Sequence, residues 1–317
     1  MINEVRNTVL SILNKNNYGY ISPSDFNLFA TQAQMEMYEE AFSAYNKLLV
    51  GQTMMKMNEG YADILKTYAE VLEIFNVTKC LSSYLGNSYY APSLTTTGDA
   101  AYMLNKVICY PTRYTSGVNT TVVSGQLVNS AATFNTLGIV AGDIVVNVST
   151  NEIAQVIQVV SATVIAINNN IFTAIGQSYA VYKASNATEA EKITQDKVVL
   201  LNTSLLTASS TLFPTYSLQG EKINVMPPSY NNAGQVIANY FRYPLAPKWT
   251  YITLVGGEPS FDQSQLDYQD FELPTDYEYK LATKILEYAG MSIRETEVAQ
   301  FGMAQQSHEE PTLSVQQ

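Results

Sequence analysis

Few residues of this chain are of a type that could perform catalysis or bind a metal. The single histidine, His308, lies in a polar C-terminal stretch with no apolar period, whereas a catalytic triad needs a histidine held by packed structure. The two cysteines, Cys80 and Cys109, are too few for a disulfide framework, and buried free thiols are a better interpretation than a bridge. Zinc sites need several cysteine or histidine ligands at short spacing, and the sequence has none.

Carboxylates are the remaining candidates for acid–base chemistry, and three dense pairs occur: Glu39 with Glu40, Glu70 with Glu73, and Glu309 with Glu310. The first two pairs fall on polar faces of predicted helices, where a solvated surface is the simpler interpretation. The sequence contains no P-loop, no dinucleotide-binding glycine pattern and no calcium-binding loop. We therefore expect no enzymatic activity, no cofactor and no metal, while carboxylate catalysis stays open as an alternative.

The composition indicates a polar but weakly charged surface. Of the 317 residues 14% are charged, against about 25% in ordinary soluble proteins. The 17 Lys plus Arg and 28 Asp plus Glu give a net charge of −11, which argues against a protein that grips nucleic acid phosphates. No run approaches about 18 consecutive apolar residues, and the N-terminus lacks the features of a secretory signal. We expect a soluble protein, made in the cytoplasm, with no membrane contact.

The first third of the chain has the apolar period of helices. Apolar residues from Val5 to Leu13 share one face of a first helix, which the polar residues before Gly19 should end. Ser22 suits an N-cap and Pro23 suits the first turn, so a second helix should start there and continue to Gly51. A third helix should carry an apolar stripe made of Met57, Tyr61, Ile64, Leu65, Tyr68, Leu72 and Phe75.

The middle of the chain changes to short β-branched runs separated by turn residues. After a loop rich in Ser, Thr and Tyr, one strand is predicted at 106–110. Five further runs are predicted as strands of a small barrel or sandwich, at 120–123, 144–148, 154–160, 163–167 and 179–182. These runs carry almost no lysine, although charge normally protects exposed sheet edges from strand addition. One solution is that the edges meet neighbouring subunits.

The last part of the chain mixes both kinds of element. Residues 188–204 should form a helix, and strands should follow at 213–218, 222–226 and 235–242. Trp249 lies in a proline-bounded turn that has the character of a structural element. A final helix should begin at Pro274 and end at Gly290, and a second short helix should carry Ile293, Val298 and Phe301.

Together these elements predict an α+β fold, in which N- and C-terminal helical segments pack as a bundle around a β-rich middle with an inserted small β-barrel or sandwich. The predicted divisions are an N-terminal helical region at 1–80, a loop and strand region at 81–116, the inserted barrel-like domain at 117–184, a mixed strand region with one helix at 185–273, C-terminal helices at 274–302 and a flexible tail at 303–317.

Three parts of the chain resemble structural proteins of tailed bacteriophages, especially crAss-like podoviruses that infect Bacteroidetes. They are MINEVRNTVLSILNKNNYGYISPSDFNLFATQAQMEMYEE; LLNTSLLTASSTLFPTYSLQGEKINVMPP with the following YFRYPLAPKWTYI; and FELPTDYEYKLATKILEYAGMSIRETEVAQF. They cover roughly half of the chain. A fourth stretch resembles a small β-module often inserted in phage virion proteins, AGDIVVNVSTNEIAQVIQVVSATVIAINNNIFTAIGQSYAVY.

The resemblance implies a non-enzymatic virion protein, a ring or adaptor protein of the head-to-tail connector. Such proteins assemble as oligomeric, typically dodecameric, rings that join the portal protein to tail proteins and leave a channel for DNA. The expected partners are therefore copies of the chain itself, the portal and the tail, with DNA passing without sequence-specific binding. The tail from about Met303 could order against the portal or a neighbour, or stay free.

Tyrosine is abundant, with 23 residues, and it suits an interface because it covers a large area at low entropic cost while its hydroxyl finds polar partners. Five tyrosines in one loop-and-strand region are our interface candidates, and ordinary half-buried core positions are the alternative for each: Tyr84, Tyr89, Tyr90, Tyr110 and Tyr114. The acidic net charge also suits a DNA conduit, because an acidic wall repels phosphates.

Two other functions stay open. The chain could be another virion component, such as a tail hub or a capsid decoration. It could also be a host-recognition protein that binds or cleaves carbohydrate, given its aromatic residues and carboxylates. The single tryptophan in a structural turn and the absence of internal repeats favour the connector.

Overall fold

The computed structural model describes residues 1–15, 21–53, 62–204 and 206–293. The fold is α+β, as the sequence predicts. The chain divides into two compact units. We call the first the helical unit, which comprises Met1–Phe75 and Pro244–Gln317, and the second the β-rich unit, which comprises Asn76–Tyr243. The finer division into six segments stays a prediction.

The helices in the described residues are α1 (Ile2–Lys15), α2 (Pro23–Thr53), α3 (Ala62–Glu73), α4 (Gln195–Thr203) and α5 (Glu278–Ile293). The strands are β1 (Asn76–Cys80), β2 (Ser83–Leu85), β3 (Ser88–Tyr90), β4 (Ala101–Cys109), β5 (Arg113–Val118), β6 (Thr121–Val123), β7 (Gln126–Val128), β8 (Ile144–Asn147), β9 (Glu152–Ser161), β10 (Val164–Ile167), β11 (Ser178–Tyr182), β12 (Thr188–Glu189), β13 (Glu191–Lys192), β14 (Thr215–Gln219), β15 (Lys222–Met226), β16 (Val236–Arg242), β17 (Tyr251–Thr253) and β18 (Pro259–Phe261).

The start of α2 is set by the cap that the sequence predicts. The Oγ of Ser22 accepts a hydrogen bond from the backbone N–H of Asp25 at 3.1 Å and donates one to its carboxylate at 2.6 Å. This pairing satisfies a backbone donor that the first turn would leave free. Pro23 is the first helical residue, where its missing N–H costs nothing.

Apolar side chains hold the helices of the helical unit together. Val5, Val9 and Leu13 of α1 are fully buried, and so are Leu281 and Ile285 of α5. Helix α5 contacts both α1 and α2, and α2 also contacts α3. The helical period that the sequence displays is therefore the period of burial.

Two sheets share the core of the β-rich unit. A four-stranded sheet has the order β1-β16-β4-β12, and a five-stranded sheet has the order β13-β14-β15-β3-β2. Side chains of both sheets enter one buried cluster, which includes Val107, Tyr216, Ile223, Ala238 and Tyr240. Packing the two sheets on each other removes these side chains from water, which is the main source of stability for such a layer.

The predicted insertion is an open seven-stranded sheet in the order β5-β11-β8-β9-β10-β7-β6. The expected barrel is wrong, because no sheet in the described residues is closed by pairing of its two edges. The edge strands β5 and β6 follow one another in the chain with Asn119 between them. The amide of Asn119 donates to the carbonyl of Ala174 at 2.9 Å, and its backbone N–H donates to Gln177, so it fixes the bend there.

Alternate residues of β8 and β11 serve two different cores. Val145 and Val181 face the core inside the seven-stranded sheet. Val146 and Tyr182, their neighbours, enter a second cluster together with Ile237 of the four-stranded sheet. Because successive side chains of a strand point to opposite faces, one pair of strands joins the seven-stranded sheet to the rest of the β-rich unit.

Several predicted elements differ from the observed ones. The helix predicted at 188–204 is observed only as α4, because its first residues pair as the short strands β12 and β13. Helix α5 continues past Gly290 to Ile293, since nothing requires a left-handed residue at that point. The short strands β2, β3, β5, β7, β17 and β18 were not predicted from the sequence. Four predictions fall outside the described residues. They are the end of the first helix near Gly19, the positions of Met57 and Tyr61, the last short helix beyond Ile293, and the tail.

Asn151 should couple the seven-stranded sheet to the β1 region. It has a left-handed backbone with φ of 61°, and its amide donates to Ser82 Oγ at 2.8 Å and to the Thr96 carbonyl at 2.7 Å. We expect Asn151→Ala to lower the free energy of unfolding of the β-rich unit by about 2–4 kcal/mol, from two lost hydrogen bonds and a strained backbone. Urea unfolding followed by circular dichroism measures this loss.

Asn151→Gly is the matched control, because glycine tolerates the backbone but also lacks the amide. It should be more stable than the alanine variant by about 1 kcal/mol. Equal, wild-type-like stability of both variants would contradict the assigned role.

Candidate interaction surfaces

The two cysteines are free thiols in the core of the β-rich unit, as the sequence predicts. Both are fully buried. Burial raises the pKa of each thiol to about 12, because a thiolate there would lose its hydration. Cys80 and Cys109 are therefore poor nucleophiles at neutral pH. His308 and the pair Glu309 and Glu310 lie outside the described residues.

No group of three or more His, Cys, Asp or Glu residues in the described part of the chain could hold a metal ion. Both carboxylates of the predicted α3 pair are exposed, and so is Glu39 of α2. Glu40 is exposed as well, with 51% of its side chain accessible, and it also makes a contact with α5. Its Oε1 accepts a hydrogen bond at 2.6 Å from Nζ of Lys284, which is buried in α5.

Lys284 is the centre of a charged contact between α2 and α5. Its Nζ also lies 2.7 Å from Oε1 of Glu36, and the hydroxyl of Tyr288 donates to the other oxygen of Glu36. Burial alone would lower the pKa of Lys284, but hydrogen bonds to the two carboxylates raise it overall. Burial alone would raise the pKa of Glu36, but its bonds from Lys284 and Tyr288 lower it overall. This arrangement stabilises a helix contact.

The five candidate tyrosines occupy different environments. Tyr89 is fully buried and its hydroxyl donates to the backbone carbonyl of Tyr230. Tyr110 is 7% exposed and belongs to the cluster that joins the sheets. Tyr89 and Tyr110 are therefore core residues, which is the alternative that the sequence analysis gave for each candidate. Tyr90 and Tyr114 are partly exposed and Tyr84 is exposed, so these three retain surface for a partner.

Tyr84 lies on β2, which is an edge strand of the five-stranded sheet. Its ring meets Tyr90 edge-on at 5.2 Å, and Nζ of Lys222 lies 3.5 Å from its centroid. The neighbouring Leu85 is 75% exposed. An edge strand with unpaired backbone groups and an aromatic surface beside it is a suitable place for a further strand or a flat apolar contact.

Residues 195–204 and 206–213 form the apolar segment, which comprises α4 and the described part of the loop that follows it. Five large apolar side chains in it are each at least 71% exposed: Val199, Leu200, Leu206, Leu212 and Phe213. In α4 only Val198 is buried. Monomeric proteins seldom expose large contiguous apolar patches, and those that exist usually mark interaction sites.

Polar groups hold the apolar segment in this form. Thr207 Oγ1 donates to the backbone carbonyl of Leu201 at 2.9 Å. The hydroxyl of Tyr230 donates to the carbonyl of Thr211 at 2.9 Å, and Ser209 and Thr215 share a hydrogen bond of 2.6 Å. The backbone is thus anchored to the rest of the β-rich unit while the large side chains stay in water. A protein partner is the natural cover for such a surface.

A second apolar surface lies on the helical unit. Strands β17 and β18 form a hairpin, residues 251–261, whose tip contains Leu254 and Val255. Leu254 is 49% exposed and Val255 is fully exposed. The turn is closed by a hydrogen bond of 2.8 Å from the backbone N–H of Gly257 to the carbonyl of Leu254, and Gly257 has a φ of +85° that favours glycine.

Trp249 fixes the base of this hairpin. It is 2% exposed and stacks on Tyr251 and Phe261 at 5.5 and 5.9 Å. Its indole N–H donates to Asn3 of α1, while its backbone N–H and carbonyl bond the amide of Asn27 in α2. The structural role predicted for the tryptophan is therefore confirmed.

The two units differ strongly in charge. The β-rich unit has eight Lys plus Arg and seven Asp plus Glu, a formal charge of +1. The helical unit has nine basic and 21 acidic residues, a formal charge of −12. The net charge of −11 thus belongs entirely to the helical unit, and the apolar segment lies on the nearly neutral one.

No known protein family model matches this chain, and no curated protein matches it. Among the described residues, no helix is both long enough and apolar enough to cross a membrane.

The different environments of the tyrosines should appear in their effect on stability. Tyr89→Ala should lower the free energy of unfolding of the β-rich unit by about 3–5 kcal/mol, because it leaves a large cavity. Tyr84→Ala should change it by less than about 1 kcal/mol, since it loses only exposed contacts with Lys222 and Tyr90. Urea unfolding followed by circular dichroism tests both, and Tyr89→Phe isolates the hydroxyl. Similar losses at both positions would contradict these environments.

The Lys284 contact should make the helical unit sensitive to pH. The lowered pKa of Glu36 stabilises the fold above its ordinary value of 4.5, and this contribution is lost as the pH falls through the lowered folded value. The raised pKa of Lys284 acts in the opposite direction, so its contribution is lost above pH 10.5. Glu36→Gln should therefore flatten the acid limb of stability against pH, as measured by fluorescence of Trp249. Glu39→Gln, which changes an exposed carboxylate nearby, should leave the acid limb unchanged. If the acid limb of the Glu36→Gln variant were as steep as that of the wild type, the role assigned to Glu36 would be wrong.

Proposed function

We propose that this chain is a non-enzymatic structural protein of a tailed bacteriophage virion. It forms an oligomeric ring, which we propose to be dodecameric, in the head-to-tail connector. The ring lies between portal and tail and leaves a channel for DNA. The single observation that carries the proposal is the exposed apolar segment on the nearly neutral β-rich unit. A ring subunit must present such surfaces, because its contacts form only on assembly.

Charge also supports assembly through the β-rich unit. Copies that approach one another through a surface of formal charge +1 meet little repulsion, whereas contact between two helical units of charge −12 brings many carboxylates together. The edge strand with Tyr84, and the partly exposed Tyr90 and Tyr114, add aromatic area of the kind found in interfaces.

The acidic helical unit suits the channel for DNA. Its 21 carboxylate residues would repel the phosphates of a passing duplex and prevent it from sticking. In the assembled particle we further propose that the terminal helices pack as one bundle around the β-rich middle. The protein would then reside in the virion neck after assembly in the bacterial host. A tail hub or capsid decoration uses the same surfaces, so position in the particle distinguishes these roles.

A carbohydrate-binding role receives less support. Sugar platforms usually present an exposed tryptophan, and Trp249 is 2% exposed and fully engaged in stacking. The exposed aromatic surface at this sheet edge consists of Tyr84 of β2 and the partly exposed Tyr90 of β3, whose rings meet edge-on. It is better suited to a protein contact.

The proposal predicts that the apolar segment is required for assembly but not for folding. We expect the purified wild-type chain, alone or with the portal protein, to form a discrete ring-sized species in mass photometry. The double variant Leu200→Asp, Phe213→Asp should remain monomeric at the same concentration, because each interface would bury unpaired charges. Its thermal unfolding should stay close to that of the wild type, since both side chains are exposed.

Asn135→Asp with Thr136→Asp is the control, because it adds the same charge at exposed polar positions of the β-rich unit. This variant should assemble normally. A wild-type chain that stays monomeric with and without portal and tail proteins would refute the ring, and substrate turnover by the chain would refute a non-enzymatic role.

A further inference from the structure

The same chain carries two unlike apolar surfaces, the hairpin tip of the helical unit and the apolar segment of the β-rich unit. A ring is built from heterologous contacts, in which one surface of a copy meets a different surface of the next. Each surface has exposed aliphatic side chains on a rigid base: Trp249 anchors the hairpin, and hydrogen bonds to Thr207, Thr211 and Thr215 anchor the segment.

The charges that border the two surfaces differ. Glu258 is exposed at the hairpin, and Asp262 follows it four residues later. Lys192 and Lys197 are exposed near the start of the apolar segment, where Glu191 and Asp196 balance their charge. The helical unit as a whole has a formal charge of −12, and the β-rich unit has +1. A contact between the hairpin and the balanced apolar segment therefore avoids the like-charge repulsion that two acidic hairpins would produce.

The hairpin also needs a cover more than an ordinary loop does. It is a two-stranded sheet in which Tyr251, Ile252 and Leu254 are each at least 44% exposed, next to the fully exposed Val255. Stacking on Trp249 holds the base of the hairpin but leaves much of these side chains in water. An apolar surface on a second molecule would bury the tip and protect its free edges.

We propose that the hairpin tip of one copy, Leu254 and Val255, packs on the apolar segment of a second copy, against Leu206, Leu212 and Phe213. The inference rests on the proposed ring and names the surfaces that join its subunits. Each copy offers its tip to one neighbour and its segment to the other. The contact buries apolar side chains at its centre and leaves the exposed Glu258 at its rim.

Cysteine cross-linking between copies tests the contact directly. The native cysteines are buried with a thiol pKa of about 12, so introduced surface cysteines react alone. Val255→Cys chains are mixed under assembling conditions with isotopically labelled Leu206→Cys chains and treated with a short bis-maleimide. Because each chain carries only one introduced cysteine, every link joins two copies. The mixed dimer is identified by mass, and the linked peptides by tandem mass spectrometry.

We expect the Val255–Leu206 link to exceed by about tenfold the link from Val255→Cys to the control Asn135→Cys, since an interface raises the effective concentration of the paired thiols. Val255–Val255 and Leu206–Leu206 links should stay at the control level, which separates the heterologous contact from a two-fold one. A tip variant, Val255→Asp, should weaken assembly while thermal unfolding of the free chain stays unchanged.

Failure of this inference and failure of the ring give different results. If mass photometry shows rings but Val255 links Leu206 no better than Asn135, the proposed contact is wrong and the ring stands. If links form between identical positions, the contact is isologous and the inference is again wrong. If wild-type chains stay monomeric with and without portal and tail proteins, both proposals are wrong.

Discussion

The proposed function depends on one constraint, which is that five large side chains of the apolar segment are exposed although its backbone is held in place. Its backbone carbonyls and hydroxyls are bonded to Thr207, Tyr230 and Thr215, so the loop already has a fixed form. The apolar groups of Leu200, Leu206 and Phe213 face water at a free-energy cost that contact with a second molecule would relieve. A surface that is rigid before binding loses little entropy on association. The segment is thus prepared for a contact that the isolated subunit cannot make.

The rigidity of the β-rich unit follows from how its sheets share cores. Strands β8 and β11 place Val145 and Val181 in one core and Val146 and Tyr182 in another, so the seven-stranded sheet cannot move away from the four-stranded one without exposing buried groups. The segregation of charge acts at a longer range. With −12 on the helical unit and +1 on the β-rich unit, approach through the helical units alone is opposed. Packing and charge therefore both favour contacts that include the β-rich unit.

Local signals in the sequence predicted local structure well. Ser22 and Pro23 defined the start of α2, and the β-branched runs defined β8 to β11, because caps and alternating burial act within a few residues.

The candidate surfaces were harder to predict. Adjacent tyrosines of β3 point to opposite faces, and the sequence cannot tell that Tyr89 rather than Tyr90 is the buried one. The apolar residues of α4 could not be assigned to the core or to the surface, because periodicity does not reveal which elements are available to cover them. The burial of Lys284 depends on carboxylates distant in sequence, and the segregation of charge appears only when the first and last parts of the chain are known to form one unit.

A heterologous contact between the hairpin tip and the apolar segment would also explain why both surfaces occur in one chain. An isologous contact needs a single self-complementary patch and ends at two copies, whereas two complementary patches continue from copy to copy until the rotation closes. The number of copies is then set by the angle between the two patches, and no residue needs to encode it separately. A partner that fixes that angle, such as a portal with its own symmetry, would select one closed ring from the range of sizes that the contact alone permits.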